Sequence, residues 1–200
     1  MTTKPHYKDV FSKMEHCRRC RLRDNAKQVV VGSGNPKKAI AMLIGEAPGR
    51  TENELGDPFV GKSGQFMFEI FEKFRLPRKL FYVTNIVKCQ PPDNRDPHPD
   101  EIAACKPHLD FQIKTVKPLL YVPVGRFALK HFDASVKLTY VHGTLMESKG
   151  VKIFPLYHPA YILRNFNARV QFEADVVELR KTLRRLYKET KNKKMFGVRR

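Results

Sequence analysis

The sequence predicts an α/β fold, a three-layer sandwich in which helices cover both faces of a central parallel sheet. Short apolar runs at residues 39–47, 81–88, 118–125 and 152–157 are predicted strands, apolar enough to be covered on both faces. Helical stretches lie between them, and alternating strands and helices are typical of a parallel sheet. In such sheets, functional side chains collect where the carboxyl ends of the strands meet loops.

The first predicted strand, at residues 39–47, breaks at a Pro-Gly pair and leads into a glycine-rich loop. Ser63 is predicted to cap the first helix, because the apolar side chains that follow it fall on one helical face. We expect one domain over residues 1–187, followed by a flexible tail over residues 188–200, which are rich in lysine and arginine. Further helices are predicted at residues 100–116, 126–132 and about 168–187.

The charge of the chain predicts a polyanionic partner. Lysine and arginine number 38 against 20 aspartates and glutamates, for a net charge of +18. Nucleic acid is the expected partner, and an anionic membrane surface is the second choice. No apolar run reaches the ~20 residues of a membrane span, and the N-terminus lacks the apolar core of a signal peptide. We therefore expect an intracellular protein, in the cytoplasm or at the nucleoid, that does not bind membranes.

The loop after the first predicted strand joins a carboxylate to a run of glycines. It reads GEAPG at residues 45–49 and GDPFVGKSG at residues 56–64. Glycine-rich backbone before a helix N-terminus suits a phosphate, although the same residues also fit a plain turn-rich loop. Glu46 lies beside an Ala-Pro pair at the strand end, where we expect partial desolvation. Such a carboxylate is a candidate base or water-orienting group.

Two further polar residues lie in or after predicted strands. Asn85 interrupts an apolar strand, where an amide without partners would cost ~1–3 kcal/mol. Its adjacent donor and acceptor match the edge of a uracil ring and are mismatched to cytosine. His158 follows the last predicted strand and precedes a proline. A lone histidine is more often structural, but together with Glu46 these residues place three polar groups at three strand ends.

Four cysteines are spaced as a metal site. Cys17 and Cys20 form a C-x2-C pair, and Cys89 and Cys105 follow as C-x15-C. In a reducing compartment this pattern favours one four-thiolate site over disulfides. The spacing does not separate zinc from a [4Fe–4S] cluster, and four unrelated buried thiols are the plain alternative.

In combination, these motifs resemble the iron–sulfur uracil-DNA glycosylases, family four of their superfamily. The resemblance extends from Cys17 to about Leu186 and rests on GEAPG, PFVGKSG, TNIVKCQPPDNRDP, HPAYILR and the cysteine spacing. It implies a four-stranded parallel sheet flanked by helices and a structural [4Fe–4S] cluster bound by the four cysteines. It also implies base excision repair, in which a monofunctional DNA glycosylase flips deoxyuridine out of DNA and hydrolyses its N-glycosidic bond.

The resemblance also implies roles around the uracil. Phe59 is similar to the aromatic residue that stacks on the flipped base, and Asn85 to the amide that reads its edge. His158 resembles the histidine that hydrogen-bonds the uracil O2. Ala47 lies beside the base, where the best-known uracil glycosylases carry an aspartate. The usual general base is then missing, so we expect a dissociative path that relies on stabilising the leaving group.

Glu46 is similar to the glutamate that positions or activates water, and Glu52 to a residue that crowds the 5-methyl group of thymine. Residues 160–164 resemble the loop that enters the duplex as the base leaves. A related cross-linking family carries GEQPG and a basic insertion, and Ala47 argues against its chemistry here. The expected phosphate contacts are Lys62, Ser63, Arg126 and Arg164.

Two other functions fit parts of the sequence. A non-enzymatic nucleic-acid-binding module explains the charge and the cysteines but leaves Glu46 and His158 without a role. A glycosylase-lyase would need a lysine Schiff base, for which Lys62 and Lys88 are nearby but show no evident reason for a lowered pKa. We expect a monomer acting on single- or double-stranded uracil-containing DNA, with a faint sliding-clamp anchor at Met195-Phe196.

Overall fold

A computed structural model describes residues 11–195, with side chains described as far as residue 192. Within these residues, one sheet has five strands in the order β2-β1-β3-β5-β4. The first three strands and β5 run parallel to their neighbours, whereas β4 pairs antiparallel with β5. The strands are β1 (Ala41–Gly45), β2 (Phe81–Asn85), β3 (Leu120–Pro123), β4 (Met146–Ser148) and β5 (Val151–Ile153).

Helices cover both faces of this sheet, so the predicted α/β sandwich is confirmed. Alternate residues of β1 point to opposite faces, as the period of a strand requires: Leu43 joins one core with Phe71 and Leu179, and Met42 joins the other with Leu109. The described helices are α1 (Leu22–Asn25), α2 (Arg50–Leu55), α3 (Lys62–Lys73), α4 (Pro99–Val116), α5 (Arg126–Phe132), α6 (Leu138–Val141), α7 (Pro159–Arg164) and α8 (Arg169–Met195).

The prediction of four strands missed β4. This strand has three residues and forms a hairpin with β5, in which Lys149 and Gly150 take φ values of 49° and 75°. Positive φ at both turn residues is typical of a tight type I′ turn. Because β4 is short and of mixed polarity, it gives no apolar run that would predict it.

Several predicted boundaries are also wrong. Helix α3 begins at Lys62 with Gly61 as its N-cap, so Ser63 lies in the first turn and is not the cap. Residues 160–164, expected as a loop, lie in α7, which begins at Pro159. Helix α8 continues eight residues past the expected end at 187, and residues 196–200 of the expected tail lie outside the described residues.

The longest described helix is α8, with 27 residues. Neither this helix nor any other in residues 11–195 combines the length and apolar character needed to cross a membrane.

The strand order determines where a site can form. From β1 the chain passes to β2 on one side of it, and later to β3 on the other side. The order therefore reverses between β1 and β3, and ligands of open α/β sheets bind in the crevice beyond the carboxyl ends at such a point. The residues that follow β1, β2, β3 and β5 all meet at this edge.

Candidate active site

One open cleft beyond the carboxyl edge of the sheet brings together all the residues predicted for catalysis, uracil binding and DNA contact. They come from the residues that end or follow β1 and β2, from α2, from the loop before α3 and the first turn of α3, from the start of α5, and from α7 with its N-cap. The predicted residues that line the cleft are Glu46, Ala47, Glu52, Phe59, Lys62, Ser63, Asn85, Arg126, His158 and Arg164.

Asn85 and Phe59 meet at the floor of the cleft. Asn85 ends β2 and is 2% exposed, yet within residues 11–195 its side-chain amide has no hydrogen-bond partner. Gly45, opposite it on β1, leaves the space for this pair. A Cβ at residue 45 would lie 2.4 Å from the Asn85 Oδ1 and 2.5 Å from the Phe59 ring. The amide and the aromatic ring therefore border the same point of the cleft.

Phe59 has an unusual backbone conformation. Its φ of 55° lies in the left-handed region, which costs a non-glycine residue about 1–2 kcal/mol. The residue is 7% exposed, and its ring centroid lies 6.1 Å from that of His158 with the planes 36° apart. Strained backbone of this kind clusters at ligand-binding sites, where the surrounding structure holds it in place.

His158 is a neutral hydrogen-bond donor in this environment. Burial, together with the positive charge of Arg164, lowers its pKa to about 4. Its Nδ1 accepts a hydrogen bond of 3.3 Å from the backbone N–H of Ala160, at the start of α7. A neutral imidazole whose Nδ1 accepts must carry its proton on Nε2. The backbone thus selects the tautomer that offers an N–H to a ligand.

Glu46, directly after β1, has a strongly perturbed carboxyl group. Burial raises its pKa to about 7, the nearby Asp96 adds to the increase, and Arg126 opposes it. Among the described residues, its carboxylate has neither a hydrogen-bond partner nor an ion-pair partner. A carboxyl group that titrates near neutral pH in a cleft is suited to accept a proton or orient water.

Glu52 is held by backbone groups. Its Oε1 accepts hydrogen bonds from the N–H groups of Val60 (3.0 Å) and Gly61 (2.7 Å), and its Oε2 accepts one from Gly49 (3.1 Å). The side chain is almost fully buried. Glu52 therefore ties the loop after β1 to the loop before α3, and its role against thymine stays a prediction.

The cleft is rich in cations, as a site for a nucleic-acid strand requires. Arg126 forms an ion pair with Asp96 across the cleft, which was not foreseen from the sequence. The acidic side chains in the lining are Glu46, Glu52 and Asp96. The basic side chains in the lining are Arg50, Lys62, Arg95, Arg126, Lys130, Lys137 and Arg164.

The four cysteines line a separate small cavity, together with residues 87–89, which follow β2. Burial raises the pKa of the thiols of Cys20, Cys89 and Cys105, that of Cys89 to about 12, and repulsion between neighbouring cysteines adds to the effect. Four thiolates can coexist there only beside a cation, so the donor set suits a metal centre. Within the described part of the chain, no three His, Cys, Asp or Glu side chains converge on a single-ion site.

Two residues at this cavity were assigned no function from the sequence. His108 Nε2 lies 3.0 Å from the Cys17 Sγ, and its position one helical turn after Cys105 was the available signal. Lys88 is 1% exposed, and its Nζ donates to the Thr84 Oγ1 (2.8 Å) and to the Asn85 carbonyl.

Burial lowers the pKa of Lys88 to about 8, so the expectation that nothing lowers it is wrong. The residue lines the cysteine cavity and not the cleft, however, so its amine is not placed for a Schiff base with substrate.

Comparison with known proteins gives a consistent set of relatives. Residues 31–184 match the model of the family described as the uracil DNA glycosylase superfamily. The type-4 uracil-DNA glycosylase of Thermotoga maritima is 39% identical over 159 residues, covering 78% of this chain and 82% of that protein. The type-4 enzyme of Sulfurisphaera tokodaii is 38% identical, covering 82% and 79%. That of Archaeoglobus fulgidus is 37% identical, covering 84% and 88%.

Proposed function

Because the chain belongs to the type-4 uracil-DNA glycosylases, which hydrolyse the N-glycosyl bond of uracil in DNA, we propose that its cleft holds the flipped base between Phe59, Asn85 and His158. The observation that carries this assignment is Asn85, a residue only 2% exposed, which lines the cleft and whose side-chain amide makes no hydrogen bond within residues 11–195. No fully buried side-chain N or O among the described residues lacks a partner, so the unbonded amide of Asn85 faces the cleft and is available to a ligand.

The Asn85 amide offers what the edge of uracil requires. Uracil presents O4 as an acceptor and N3–H as a donor, which complement the amide NH₂ and carbonyl. Cytosine presents the reverse pattern and would face like groups. The Phe59 ring beside the amide supplies the stacking surface, and stacking of a base on an aromatic ring contributes about 1–3 kcal/mol.

His158 acts on the leaving group in this proposal. Its neutral imidazole donates the Nε2–H to the uracil O2, where negative charge develops as the bond to the sugar breaks. Removing one such donor typically costs ~10²–10³ in rate. Because Ala47 supplies no carboxylate, Glu46 is the group that orients or deprotonates the water that attacks the oxocarbenium-like sugar.

The test is excision from a 5′-labelled oligonucleotide with a single uracil, followed by alkali to cut at abasic sites. We expect strand cleavage only after alkali, and no covalent adduct with borohydride, as for a monofunctional enzyme. The Asn85→Asp variant should lose excision. The matched control is Asn94→Asp, which makes the same replacement at another residue of the cleft lining and should keep it. A wild-type rate in Asn85→Asp would refute the assignment.

The cavity of Cys17, Cys20, Cys89 and Cys105 is proposed to bind a [4Fe–4S] cluster. The raised pKa values of its buried thiols support a cationic centre, and the nearby Lys88 and His108 suit a cluster whose thiolate ligands carry net negative charge. Such a cluster would supply a structural cross-link there, and no catalytic step passes through it. Protein purified without oxygen should be brown and contain about four irons per chain. One zinc in a colourless protein would refute the cluster.

The remaining proposals concern partners. The excess of cations in the cleft supports Lys62, Ser63, Arg126 and Arg164 as phosphate contacts on DNA that is single- or double-stranded. We propose that the protein acts as a monomer inside the cell, with one domain over residues 1–187 and a basic tail over residues 188–200 whose first eight residues continue α8. The clamp contact expected at Met195-Phe196 extends beyond the described residues.

A further inference from the structure

The strained backbone conformation of Phe59 must be stabilised by its surroundings. Arg78 stabilises it from outside the cleft. The guanidinium donates from Nη2 to the Pro58 carbonyl (2.6 Å) and from Nη1 to the Phe59 carbonyl (3.3 Å). These two carbonyls belong to the peptide planes on either side of the Phe59 Cα. Fixing both planes fixes φ and ψ of the residue between them.

Glu52 binds the same segment, at the N–H side of the second of these two peptide planes. The peptide that joins Phe59 to Val60 has its carbonyl bound by Arg78 and its N–H bound by the Glu52 Oε1 (3.0 Å). The next N–H, that of Gly61, also donates to Glu52 (2.7 Å). A cation and a carboxylate thus act on successive backbone groups, and hydrogen bonds to charged groups are among the stronger ones.

The surroundings leave Phe59 little freedom to relax. Gly64 of α3 packs so closely that a Cβ there would lie 2.3 Å from the carbonyl carbon and oxygen of Phe59. Arg78 is itself fixed, with its guanidinium 4.4 Å from the centroid of the Phe68 ring and its Nη2 3.0 Å from the Ser33 Oγ. Arg78 is absent from the cleft lining, so any effect it has on substrate must pass through the residues it holds.

We propose that Arg78 is a positioning residue that, with Glu52 opposite it, holds the Phe59 ring in the orientation that stacks on uracil. This proposal rests on the role of Phe59 given above. It predicts that Arg78 affects base binding and excision only as long as the Phe59 ring is present.

The test is a double-mutant cycle of Arg78→Met and Phe59→Ala, with excision measured in single turnovers at saturating enzyme and free uracil used as a competitive inhibitor. Arg78→Met should slow excision and weaken uracil inhibition, each by about tenfold, as for loss of one charged hydrogen-bonding group. In the Phe59→Ala background, the same change should add nothing, because the ring that it positions is gone. Thermal unfolding of each variant checks that the protein is folded.

Two further variants keep the test decisive. Arg169→Met makes the same replacement at an arginine that lies near the rings of Phe66 and Phe166, outside the cleft lining, and it should excise uracil normally. Arg78→Lys retains the charge and so favours folding, but it lacks the planar fork that reaches two carbonyls, and it should show most of the loss.

The outcomes distinguish the positioning role of Arg78 from the stacking role of Phe59. Effects of Arg78→Met and Phe59→Ala that multiply in the double variant would show that Arg78 acts independently of the ring, and would overturn the inference. Wild-type excision by both folded Arg78 variants would also overturn it. Wild-type excision by Phe59→Ala would refute the stacking role itself, and the positioning role of Arg78 with it.

Discussion

In the proposed mechanism Glu46 acts only as a carboxylate, so uracil excision should accelerate with pH through the neutral range. Burial raises the pKa of Glu46 to about 7, with Asp96 adding to the increase and Arg126 opposing it. A group that orients water or accepts its proton works in its ionised form, so kcat/KM should follow the ionised fraction of Glu46. For a pKa of about 7, that fraction increases about tenfold between pH 6 and pH 8.

The neighbours of Glu46 allow the midpoint to be moved in both directions. Asp96→Asn removes a negative charge that disfavours ionisation, so the midpoint of the pH profile should shift to lower pH. Arg126→Met removes a positive charge that favours ionisation, so the midpoint should shift to higher pH. Glu46→Gln should be slower and nearly independent of pH. His158 titrates outside this window, since burial lowers its pKa to about 4.

The assay is kcat/KM on a uracil-containing oligonucleotide at constant ionic strength, since binding to DNA depends steeply on salt. Asp110→Asn serves as the control, because Asp110 pairs with Lys106 on α4, outside the cleft lining, and should leave the midpoint unchanged. A flat wild-type profile between pH 6 and pH 8 would refute the reasoning. So would a Glu46→Gln enzyme that keeps the wild-type midpoint.

Three further predictions follow from the contacts. His158→Ala should slow the chemical step about 10²-fold while leaving DNA binding nearly unchanged, as single-turnover rates and equilibrium titrations will show. Asn85→Asp should lose uracil excision and gain weak activity on cytosine, measured on matched oligonucleotides; undiminished uracil excision would contradict the edge-reading role. Glu101, fully buried, accepts hydrogen bonds from Arg95, Arg21 and the backbone of His98, and its pKa is lowered to about 2, mainly by Arg95. Glu101→Gln should therefore lower the free energy of unfolding in urea by roughly 3 kcal/mol at pH 7, and the difference should shrink as the pH falls towards 2, where the wild-type carboxylate protonates.

The fold was predictable where burial leaves a long apolar run. The strands β1, β2 and β3 are buried at every residue, and each lies within a predicted strand. Only one of the three residues of β5 is buried, and this strand overlaps the start of the fourth predicted strand. The edge strand β4 was not predictable, because its three residues Met146–Ser148 depend on pairing with β5 for their conformation. The end of α8 was placed too early because its last turns are polar and resemble a tail.

The candidate site was predictable where a polar residue interrupts an apolar pattern, as Asn85 and His158 do. Arg78 does not interrupt an apolar pattern, so the sequence did not indicate its role. Its partners are the backbone carbonyls of residues 58 and 59, about twenty positions earlier in the chain, and backbone groups have no sequence pattern. The pairing of Arg126 with Asp96 escaped prediction for a related reason, since it joins the start of α5 to the loop before α4, and only the strand order establishes that these are close.

The cysteine cavity has a consequence for the entropy of the unfolded chain. Cys17 and Cys20 precede the sheet, whereas Cys89 and Cys105 follow β2, so the cavity joins segments on either side of β1, α2, α3 and β2. A cluster bound by all four thiolates would close a loop of about 70 residues, and closing a loop of that length removes roughly 4 kcal/mol of chain entropy. That loop contains Glu46, Phe59 and Asn85, and the last two are proposed to hold the base. Losing the cross-link would therefore release conformational freedom in the segment whose geometry excision requires to be fixed.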